Sequence, residues 1–362
     1  MAGIYIHIPF CIRKCSYCDF YSIVLDESLK LQYMEALKKE IRLYSSYREN
    51  IKTIYFGGGT PSLLKPAEIG EIIEEIYRIY NVSGDAEITL EANPTGLDGR
   101  RAKQYLSAGV NRLSIGVQSL NNEELQMLGR VHTAEEAEAA IGCVMEHFEN
   151  FSVDLIYAIP GQSPALLLKS IEKIKDYEVP HISAYELTID EHTPLGKKVQ
   201  EGRIKALSDD EKAELFWTVH NALDEYIHYE ISNYAIEGFQ CRHNLAYWQR
   251  EDYLGFGPSA HGLIKNRRYE NVDDLGEYLR LIKNGNPPLK SSTILNEEEI
   301  REEKVFLGLR TIYGVRLSEL HVDEETLKTL KNNGLIEMDN QRLYLTPKGM
   351  LLSNSVIVKL LN

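Results

Sequence analysis

Three of the five cysteines in this chain fall within the stretch "PFCIRKCSYCDFYS", and they follow the spacing C-x₃-C-x₂-C at Cys11, Cys15 and Cys18. Thiolates are soft ligands that suit Zn²⁺, Cu(I) and iron–sulfur clusters. A structural zinc site is normally closed by four ligands, so the fourth would have to be His7 or a distant residue. A [4Fe–4S] cluster held by three cysteines would instead keep one iron open for an exchangeable ligand.

The spacing favours the iron–sulfur interpretation, because three thiols in a single loop suit a compact cluster better than a zinc site built from paired C-x₂-C knuckles. A zinc site and three incidental thiols remain as alternatives. An odd number of cysteines, three of them clustered, is not typical of a disulfide framework. Clustered thiols in a reducing compartment more often bind metal, and we therefore expect a cytoplasmic protein.

The composition is that of an ordinary globular protein, with 43% hydrophobic and 26% charged residues among 362. The 40 basic and 54 acidic side chains give a net charge of −14. This charge disfavours a general nucleic-acid binder, because such proteins gain affinity by neutralising phosphates. The N-terminus lacks the pattern of a signal peptide, and no run approaches the roughly 18 apolar residues of a membrane helix, so we predict no integral membrane protein.

The elements that must position the cysteines follow a regular order through the first two thirds of the chain. Short apolar runs predict strands at 4–8, 53–59, 87–94, 112–120, 152–162 and 181–187. Helical patterns between them predict helices at 28–46, 98–107, 133–147 and 164–176, and a further helix that begins at Pro66. Short strands that alternate with helices indicate parallel βαβ units.

Six such units are fewer than the eight of a closed TIM barrel, so we predict an α/β fold with a partial, open (β/α)6 barrel of the TIM type. In such sheets the functional site lies at the C-terminal ends of the strands. The unusual residues collect there. The first strand runs into the cysteines, the second into "GGGTPS", and the next three into Glu91, Gln118 and Asp154.

The C-terminal part has a different pattern. After "NGNPPLKSS" (284–292), a candidate linker, come a charged helical run, a second helix, a glycine and a β-hairpin. This order resembles a winged helix, which on so acidic a chain we expect to be a small α+β packing domain without DNA contact. We therefore divide the chain into a barrel with the site (1–235), an extension with the linker (236–289) and a winged-helix-like domain (290–362).

The cysteine motif resembles that of the radical S-adenosylmethionine superfamily, since Tyr17 precedes the last cysteine and the loop follows the first strand. "GGGTP" is similar to the family's glycine-rich element, which faces the methionyl amino group. The resemblance implies a [4Fe–4S] cluster on Cys11, Cys15 and Cys18. It also implies that the amine and carboxylate of S-adenosylmethionine chelate the open iron, so that the missing fourth ligand is the cofactor itself.

The resemblance extends over essentially the whole chain. The motifs "IYIHIPFC", "YFGGGTPS", "LEANP", "GVQS", "LGRVH", "DLIYAIPGQ" and "GFGPSAHG" resemble the coproporphyrinogen III dehydrogenase group, and within it the branch of heme chaperones called HemW. The residues that the resemblance places around S-adenosylmethionine are Tyr5, Tyr17, Gly58, Gly59, Thr60, Glu91, Gln118, Arg130 and Asp154.

Each of these residues has an ordinary structural alternative. Glu91 and Asp154 would accept hydrogen bonds from ribose hydroxyls or the ammonium, but a strand-end carboxylate is otherwise usually a helix cap or an ion-pair partner. Arg130 would hold the methionyl carboxylate with its planar guanidinium, and its alternative is a solvated surface arginine. Tyr5 and Tyr17 are otherwise packing residues. The triple glycine permits close backbone approach, and it lacks the lysine of a phosphate-binding loop.

Two departures from the oxidases of the group bear on function. The oxidases carry a fourth nearby cysteine, two residues after the third, where this chain has Phe20. They also have an N-terminal extension that helps to form the active site, whereas this chain starts three residues before "IYIHI". Both differences count against decarboxylation of a porphyrinogen by this protein.

The stretch "CRHNLAYW" contains H-N-x-x-Y-W, which resembles a signature of the chaperone branch. His243 is a candidate heme iron ligand, since neutral imidazole is a common axial donor. Tyr247 and Trp248 would stack on the macrocycle or pack around it. Cys241 is a second candidate ligand, and His261 in "SAHG" is expected near the mouth of the barrel. The ordinary alternative for the motif is a satisfied turn in the core.

We favour the hypothesis of a heme chaperone that binds heme and passes it to an acceptor such as a respiratory protein. Any enzymatic activity would then be reductive cleavage of S-adenosylmethionine. The alternative is an oxygen-independent coproporphyrinogen III oxidase, in which a radical made from S-adenosylmethionine abstracts hydrogen from a propionate. A zinc module that acts on nucleic acid is a third hypothesis, which a brown protein would eliminate. The sequence leaves a homodimer open.

Overall fold

A computed structural model describes residues 2–361 of the chain. Within that range the strands are β1 (Ala2–Ile8), β2 (Phe10–Cys11), β3 (Ile23–Val24), β4 (Ile51–Gly58), β5 (Val82–Ala92), β6 (Arg112–Gln118), β7 (Phe151–Tyr157), β8 (His181–Glu186), β9 (Ile227–Glu230), β10 (Asn233–Ala235), β11 (Asp252–Phe256), β12 (His261–Ile264), β13 (Arg267–Asn271), β14 (Leu289–Ile294), β15 (Val315–Arg316), β16 (Ile336–Met338) and β17 (Arg342–Leu345).

The helices are α1 (Glu27–Leu43), α2 (Pro66–Ile79), α3 (Gly99–Ser107), α4 (Asn122–Leu128), α5 (Ala134–Met145), α6 (Pro164–Lys175), α7 (Pro194–Gln200), α8 (Asp209–Ala222), α9 (Arg242–Trp248), α10 (Leu275–Lys283), α11 (Glu297–Gly308), α12 (Glu324–Asn332), α13 (Pro347–Leu351) and α14 (Ser353–Leu361). No helix within residues 2–361 combines the length and the apolar character that crossing a bilayer requires.

One large sheet organises the molecule, with the strand order β14-β13-β12-β11-β1-β4-β5-β6-β7-β8-β10-β9. The six predicted strands, β1, β4, β5, β6, β7 and β8, pair in parallel in this order. The prediction of an α/β fold with a partial barrel is therefore confirmed. The sheet is wider than predicted, because β11 adds a further parallel strand beside β1. Antiparallel strands then extend it on both sides.

Helices that follow the strands cover the sheet, and α2 shows why these segments become helical. Pro66 occupies the first turn, where its fixed φ suits a helix and its missing N–H is not needed. The apolar positions of α2 recur at helical spacing, so that one face is buried. The buried isoleucines of this face are Ile69, Ile72, Ile73 and Ile76. Burial of each contributes roughly 1.5–3 kcal/mol to the free energy of folding.

The extension after the barrel is fastened to it by a buried carboxyl group. Glu40 of α1 accepts hydrogen bonds from the Gly257 N–H at 2.8 Å, from Asn271 Nδ2 at 2.7 Å and from Tyr278 Oη at 2.6 Å. These donors belong to the loop after β11, to β13 and to α10. One side chain therefore ties three parts of the extension to the barrel.

The predicted linker at 284–292 is only partly a loop, because residues 289–294 form β14, which pairs with β13. The Pro287–Pro288 pair precedes this strand, at a place where no ladder N–H is needed. The β-branched and hydroxyl side chains that follow suit an edge strand, and all six residues of β14 are exposed. The large sheet thus reaches Ile294, and the domain boundary between 289 and 290 stays a prediction.

The C-terminal domain has the predicted winged-helix order. α11, β15, α12 and the β16–β17 hairpin follow one another, and the three strands form an antiparallel sheet in the order β15-β17-β16. The domain is joined to the edge of the large sheet by backbone hydrogen bonds. The Ile231 N–H donates to the Arg310 carbonyl at 3.0 Å, and the Ile312 N–H donates to the Tyr229 carbonyl at 3.2 Å.

Candidate metal and cofactor site

The clustered cysteines lie on the loop that follows β1. β2 and β3 pair in parallel and close the base of this loop. Cys11, Cys15 and Cys18 are half-buried free thiols. Burial, with the other two thiols close by, raises the pKa of Cys18 to about 11. A metal bound at this loop would have to displace the proton of that thiol, as metal binding to cysteine generally does.

Two neighbouring helices hold the cysteine loop in place. Ser16 donates its N–H to the Leu128 carbonyl at 3.0 Å and its hydroxyl to the Met127 carbonyl at 2.8 Å. The Ser16 carbonyl accepts the Leu195 N–H at 2.8 Å. The loop is therefore fixed to the C-terminal end of α4 and to the first turn of α7. The sequence pattern predicted neither of these short helices.

The glycine-rich segment at the end of β4 touches the cysteine loop. A Cβ atom at Gly59 would lie 2.7 Å from the Phe10 carbonyl oxygen. Gly58 has φ +109°, and a Cβ atom there would lie 2.7 Å from the His7 ring. Only glycine permits this approach. The next residue, Thr60, donates its hydroxyl to Cys11 Sγ at 3.6 Å.

Arg130 approaches the same loop from the end of α4. Its Nη1 donates to Cys15 Sγ at 3.5 Å, and its Nη2 donates to Asn93 Oδ1 at 2.5 Å and to the Gly116 carbonyl at 2.8 Å. Asn93 Nδ2 in turn donates to Thr60 Oγ1 at 3.1 Å. Among the described residues, Arg130 Nε is buried without a hydrogen-bond partner. A cation with an unused donor beside the thiols is suited to an anionic group such as a carboxylate.

Two carboxyl groups line the inside of the barrel, and both keep some accessible surface. Glu91, near the end of β5, accepts a hydrogen bond from Tyr55 Oη at 2.9 Å. Its enclosure in the barrel raises its pKa to about 7, and the nearby Asp154 adds to this effect. Asp154 lies in the middle of β7 rather than at its end as predicted, and it accepts from Ser114 Oγ at 2.9 Å. Hydroxyl donors therefore hold both carboxyl groups.

The other predicted cofactor contacts have distinct surroundings. Tyr5 Oη hydrogen-bonds His7 Nδ1 at 3.1 Å, and the Tyr5 ring stacks on Tyr55. Tyr17 packs with the small apolar cluster that includes Leu128. Gln118 ends β6 with φ +70°, a conformation that residues other than glycine adopt rarely and often at functional sites.

His243 lies elsewhere, at the N-terminal ends of the strands. It belongs to α9, and its Nδ1 hydrogen-bonds Thr53 Oγ1 at 2.7 Å, near the start of β4. Its Nε2 hydrogen-bonds Tyr247 Oη at 2.8 Å, and only 1% of the residue is exposed. Neither ring nitrogen is available to a heme iron in this conformation. Heme ligation by His243 stays a prediction, and it requires these hydrogen bonds to break.

The two other candidate heme ligands also differ in access. Cys241 is buried, and its Sγ donates to Glu87 Oε1 at 3.6 Å. Burial raises the pKa of Cys241 to about 12, with Glu87 adding to the effect, so this thiol is not ionised at neutral pH. His261 is exposed at the start of β12.

The prediction from sequence missed two residues that connect the site. Asn93 joins Thr60 to Arg130, and its signal was its place in "LEANP", two residues after Glu91. Tyr55 holds Glu91, and its signal was the alternation along β4, which puts it on the same face as Thr53 and Gly57.

A partial parallel barrel, a three-cysteine loop after its first strand and a glycine-rich turn after its second define the radical S-adenosylmethionine class. A model of the radical SAM superfamily matches residues 5–179, and a model of the HemN C-terminal domain matches residues 295–352. The relatives place the chain more narrowly. The chain belongs to the HemW branch of this superfamily.

Curated relatives cover nearly the full length of the chain. It is 36% identical to "Heme chaperone HemW" of Bacillus subtilis, over 98% of this chain and 98% of that protein. It is 33% identical to the protein of the same name in Lactococcus lactis, over 99% and 96%. It is 32% identical to "Radical S-adenosyl methionine domain-containing protein 1, mitochondrial" of Bos taurus, over 100% and 87%.

The fold agrees with a solved structure. The coproporphyrinogen III oxidase HemN from Escherichia coli, a radical SAM enzyme, superposes with a TM-score of 0.87. The match covers 99% of this chain and 89% of that one at 23% sequence identity. At this identity the likeness establishes the shared fold and carries no argument about the reaction.

The described side chains fit the cofactors of this superfamily. Three thiols on one loop match the donor set of an iron–sulfur cluster. The partnerless Nε of Arg130 suits the carboxylate of S-adenosylmethionine. The accessible carboxyl groups of Glu91 and Asp154 suit hydroxyl or ammonium donors.

Proposed function

We propose that this protein is a heme chaperone that carries a [4Fe–4S] cluster on Cys11, Cys15 and Cys18, with S-adenosylmethionine as the exchangeable ligand of the fourth iron. The observation that carries the proposal is the convergence of Thr60 and Arg130 on this thiol loop, at the C-terminal end of the barrel. A hydroxyl and a cation beside the thiols provide polar contacts for both the cluster and a charged ligand of it.

Each residue of the site has a distinct role in this proposal. Arg130 would hold the methionyl carboxylate, while Glu91 and Asp154 would accept hydrogen bonds from the ammonium or the ribose hydroxyls. Gln118 would reach the ribose, and Tyr5 and Tyr17 would bound the site. Cys11, Cys15 and Cys18 would hold a cluster that, once reduced, would supply one electron for cleavage of S-adenosylmethionine. The chain itself binds and orients the cofactor and excludes water.

The heme part of the proposal rests on relatives that are named heme chaperones and that match the chain over nearly its full length. Heme bound by this protein would be passed to an acceptor, such as a respiratory protein. We place this activity in the cytoplasm, where a reducing environment keeps clustered thiols free for a cluster.

The alternative is an oxygen-independent coproporphyrinogen III oxidase, and the likeness to HemN, which concerns the fold alone, does not favour it. The residue that counts against it is Phe20, which stands where oxidases of the group carry a further cysteine. Its side chain is exposed on the cysteine loop.

Anaerobic reconstitution tests both functions in one preparation. Cluster-loaded protein is titrated with heme, and separately incubated with reductant, S-adenosylmethionine and coproporphyrinogen III while the porphyrin mass is followed. We expect heme to bind and the porphyrin mass to stay unchanged. Loss of carbon dioxide from the porphyrinogen would identify an oxidase and contradict the chaperone proposal.

A cysteine variant tests the cluster assignment. Cys15→Ala should abolish the iron–sulfur absorbance while the barrel stays folded, because Cys15 lies on a half-exposed loop. Cys143→Ala is the matched control, since Cys143 lies on α5 outside the loop, and it should keep full iron content. Retention of the absorbance in Cys15→Ala would contradict the ligand assignment.

A further inference from the structure

The helix that carries the HNxxYW motif enters the barrel from the N-terminal ends of the strands. Its first turn is held by Glu87 of β5, whose carboxylate accepts the Arg242 N–H and the His243 N–H, each at 3.1 Å. Glu87 is itself buried. A carboxylate is favoured at the N-terminus of a helix, where the first N–H groups lack partners within the helix. α9 is thus fixed inside the barrel by a residue of the barrel.

His243 uses every polar atom of its ring within this arrangement. Nδ1 is bound to Thr53 of β4, and Nε2 to Tyr247 of its own helix. The ring plane lies 23° from that of Tyr55, with the centroids 5.0 Å apart, which is a stacked arrangement. The imidazole is therefore a rigid surface against which the Tyr55 ring rests.

Tyr55 carries the contact from α9 to the cofactor site. Its hydroxyl donates to Glu91 Oε1 at 2.9 Å, and its ring also stacks on Tyr5, with the two centroids 6.2 Å apart. Both His243 and Tyr5 contact the Tyr55 ring, and these contacts restrict the orientation of its hydroxyl. The carboxyl group that it orients is one of the two that are proposed to accept hydrogen bonds from S-adenosylmethionine.

We propose that α9 is an internal support of the cofactor site, and that His243 is a positioning residue that acts through Tyr55 on the Glu91 carboxylate. This inference rests on the proposed function, since it assigns a role toward S-adenosylmethionine. It gives the histidine and the tyrosine of the HNxxYW motif a function inside the barrel that needs no contact with heme iron. The motif then links the N-terminal ends of the barrel strands to the cofactor site at their C-terminal ends.

The variant Tyr55→Phe tests the link with the smallest change, because it removes only the hydroxyl. Binding of S-adenosylmethionine is measured by equilibrium dialysis on cluster-loaded protein, with iron content and the electron paramagnetic resonance of the reduced cluster recorded beside it. We expect affinity to fall about tenfold, as for loss of a hydrogen bond to a charged group. Iron content should be unchanged, and the spectral change on adding S-adenosylmethionine should shrink.

Tyr80→Phe is the matched control. Tyr80 is buried, and its hydroxyl donates to the Ile41 carbonyl at 2.7 Å, away from the cofactor site. The variant Tyr80→Phe loses a comparable buried hydrogen bond, but its affinity for S-adenosylmethionine should stay within about twofold of wild type. Affinity of Tyr55→Phe within that same range would overturn the positioning role. Failure of the wild-type protein to bind S-adenosylmethionine would overturn the proposed function as well, so the two failures are distinguishable.

His243→Ala tests the first step of the link and separates it from heme ligation. We expect His243→Ala to bind S-adenosylmethionine more weakly than the wild type and to keep its affinity for heme. Because both residues act on the same carboxylate, the double variant His243→Ala/Tyr55→Phe should bind S-adenosylmethionine no more weakly than the weaker-binding single variant. Loss of heme binding with wild-type affinity for S-adenosylmethionine would overturn the inference in favour of a ligand role. Because His243→Ala removes a buried side chain, the thermal midpoint of this variant is recorded. If His243→Ala fails to fold, Tyr55→Phe alone decides the test.

Discussion

At the scale of single residues, enclosure in the barrel decides which groups of the site change charge near neutral pH. Burial lowers the pKa of His7 to about 4 and that of His243 to about 3, so both imidazoles are neutral between pH 6 and 8. The same cause raises the pKa of Glu91 to about 7, with Asp154 contributing, while the hydroxyl of Tyr55 opposes the rise. Glu91 is therefore a carboxyl group of the site that is expected to titrate near neutral pH.

Binding of S-adenosylmethionine should follow the ionisation of Glu91. Only the carboxylate accepts hydrogen bonds from an ammonium with both oxygens, so affinity should rise with pH through the pKa of Glu91. With a pKa of about 7 in the free protein, the ionised fraction changes about tenfold between pH 6 and pH 8. Equilibrium dialysis at both values measures the change, and Asp154 and Tyr5, which face Glu91, are expected to modulate it.

Glu91→Gln is the control for that profile, since it keeps the shape of the side chain and removes its charge. This variant should bind S-adenosylmethionine weakly and with little dependence on pH over the same interval. A slope in the variant as steep as in the wild type would assign the titration to another group.

At the scale of elements, local sequence patterns predicted the strands and the cysteine motif but not the long-range contacts between elements. The six barrel strands were visible because each apolar run is bounded by glycine, proline or a helical pattern. β11 was not, because its place beside β1 joins Ala2 to Asp252, and nothing in either segment specifies a partner so far along the chain. The cysteines were visible by residue type and spacing. The hydrogen bond from Leu195, at the start of α7, to the cysteine loop is another long-range contact that the local sequence does not indicate.

The burial of α9 is the clearest example of a feature that the sequence alone does not determine. "HNLAYW" has polar and aromatic residues that suit either a heme site or a core turn, and only the fold shows that Thr53 and Glu87 satisfy it from within. The residues of this stretch alone leave both outcomes open, because satisfaction of a buried polar group is a tertiary property.

The contact between the cysteine loop and the glycine-rich turn leads to an element-scale prediction. In Gly59→Ala the added Cβ would meet the Phe10 carbonyl oxygen at 2.7 Å, and backbone there cannot yield as a side chain would. We expect a cost of about 1–3 kcal/mol and lower iron content after reconstitution, measured by chemical unfolding and iron assay.

Gly142→Ala provides the comparison, since a Cβ at Gly142 on α5 would meet nothing within 4 Å. It should keep full iron content and gain up to about 1 kcal/mol in the free energy of unfolding, because alanine favours a helix over glycine. Equal iron content in the two variants would show that the two loops do not need this close approach.

At the scale of the whole molecule, the C-terminal domain is fastened to the region around α9. The guanidinium of Arg310 lies 4.7 Å from the ring centroid of Trp248, the last residue of the motif helix. Glu303 of α11 accepts from Arg250 at 2.7 Å and from Arg268 at 2.8 Å. The winged-helix-like domain is thus anchored by cations of the extension and contacts α9.

Glu303→Ala should loosen this anchorage. Only 8% of the Arg250 side chain is exposed, so its charge would be left buried without the carboxylate. Loss of one partner from a fully buried pair costs about 3–5 kcal/mol, and the partial exposure of Glu303 and Arg268 reduces this to about 2 kcal/mol. The neighbouring Glu302→Ala, on the exposed face of α11, should change stability by less than about 0.5 kcal/mol. Urea unfolding combined with limited proteolysis distinguishes them, since Glu303→Ala should release the C-terminal domain in an earlier transition. Identical transitions for the two variants would mean that the backbone hydrogen bonds at Ile231 and Ile312 suffice to hold the domain.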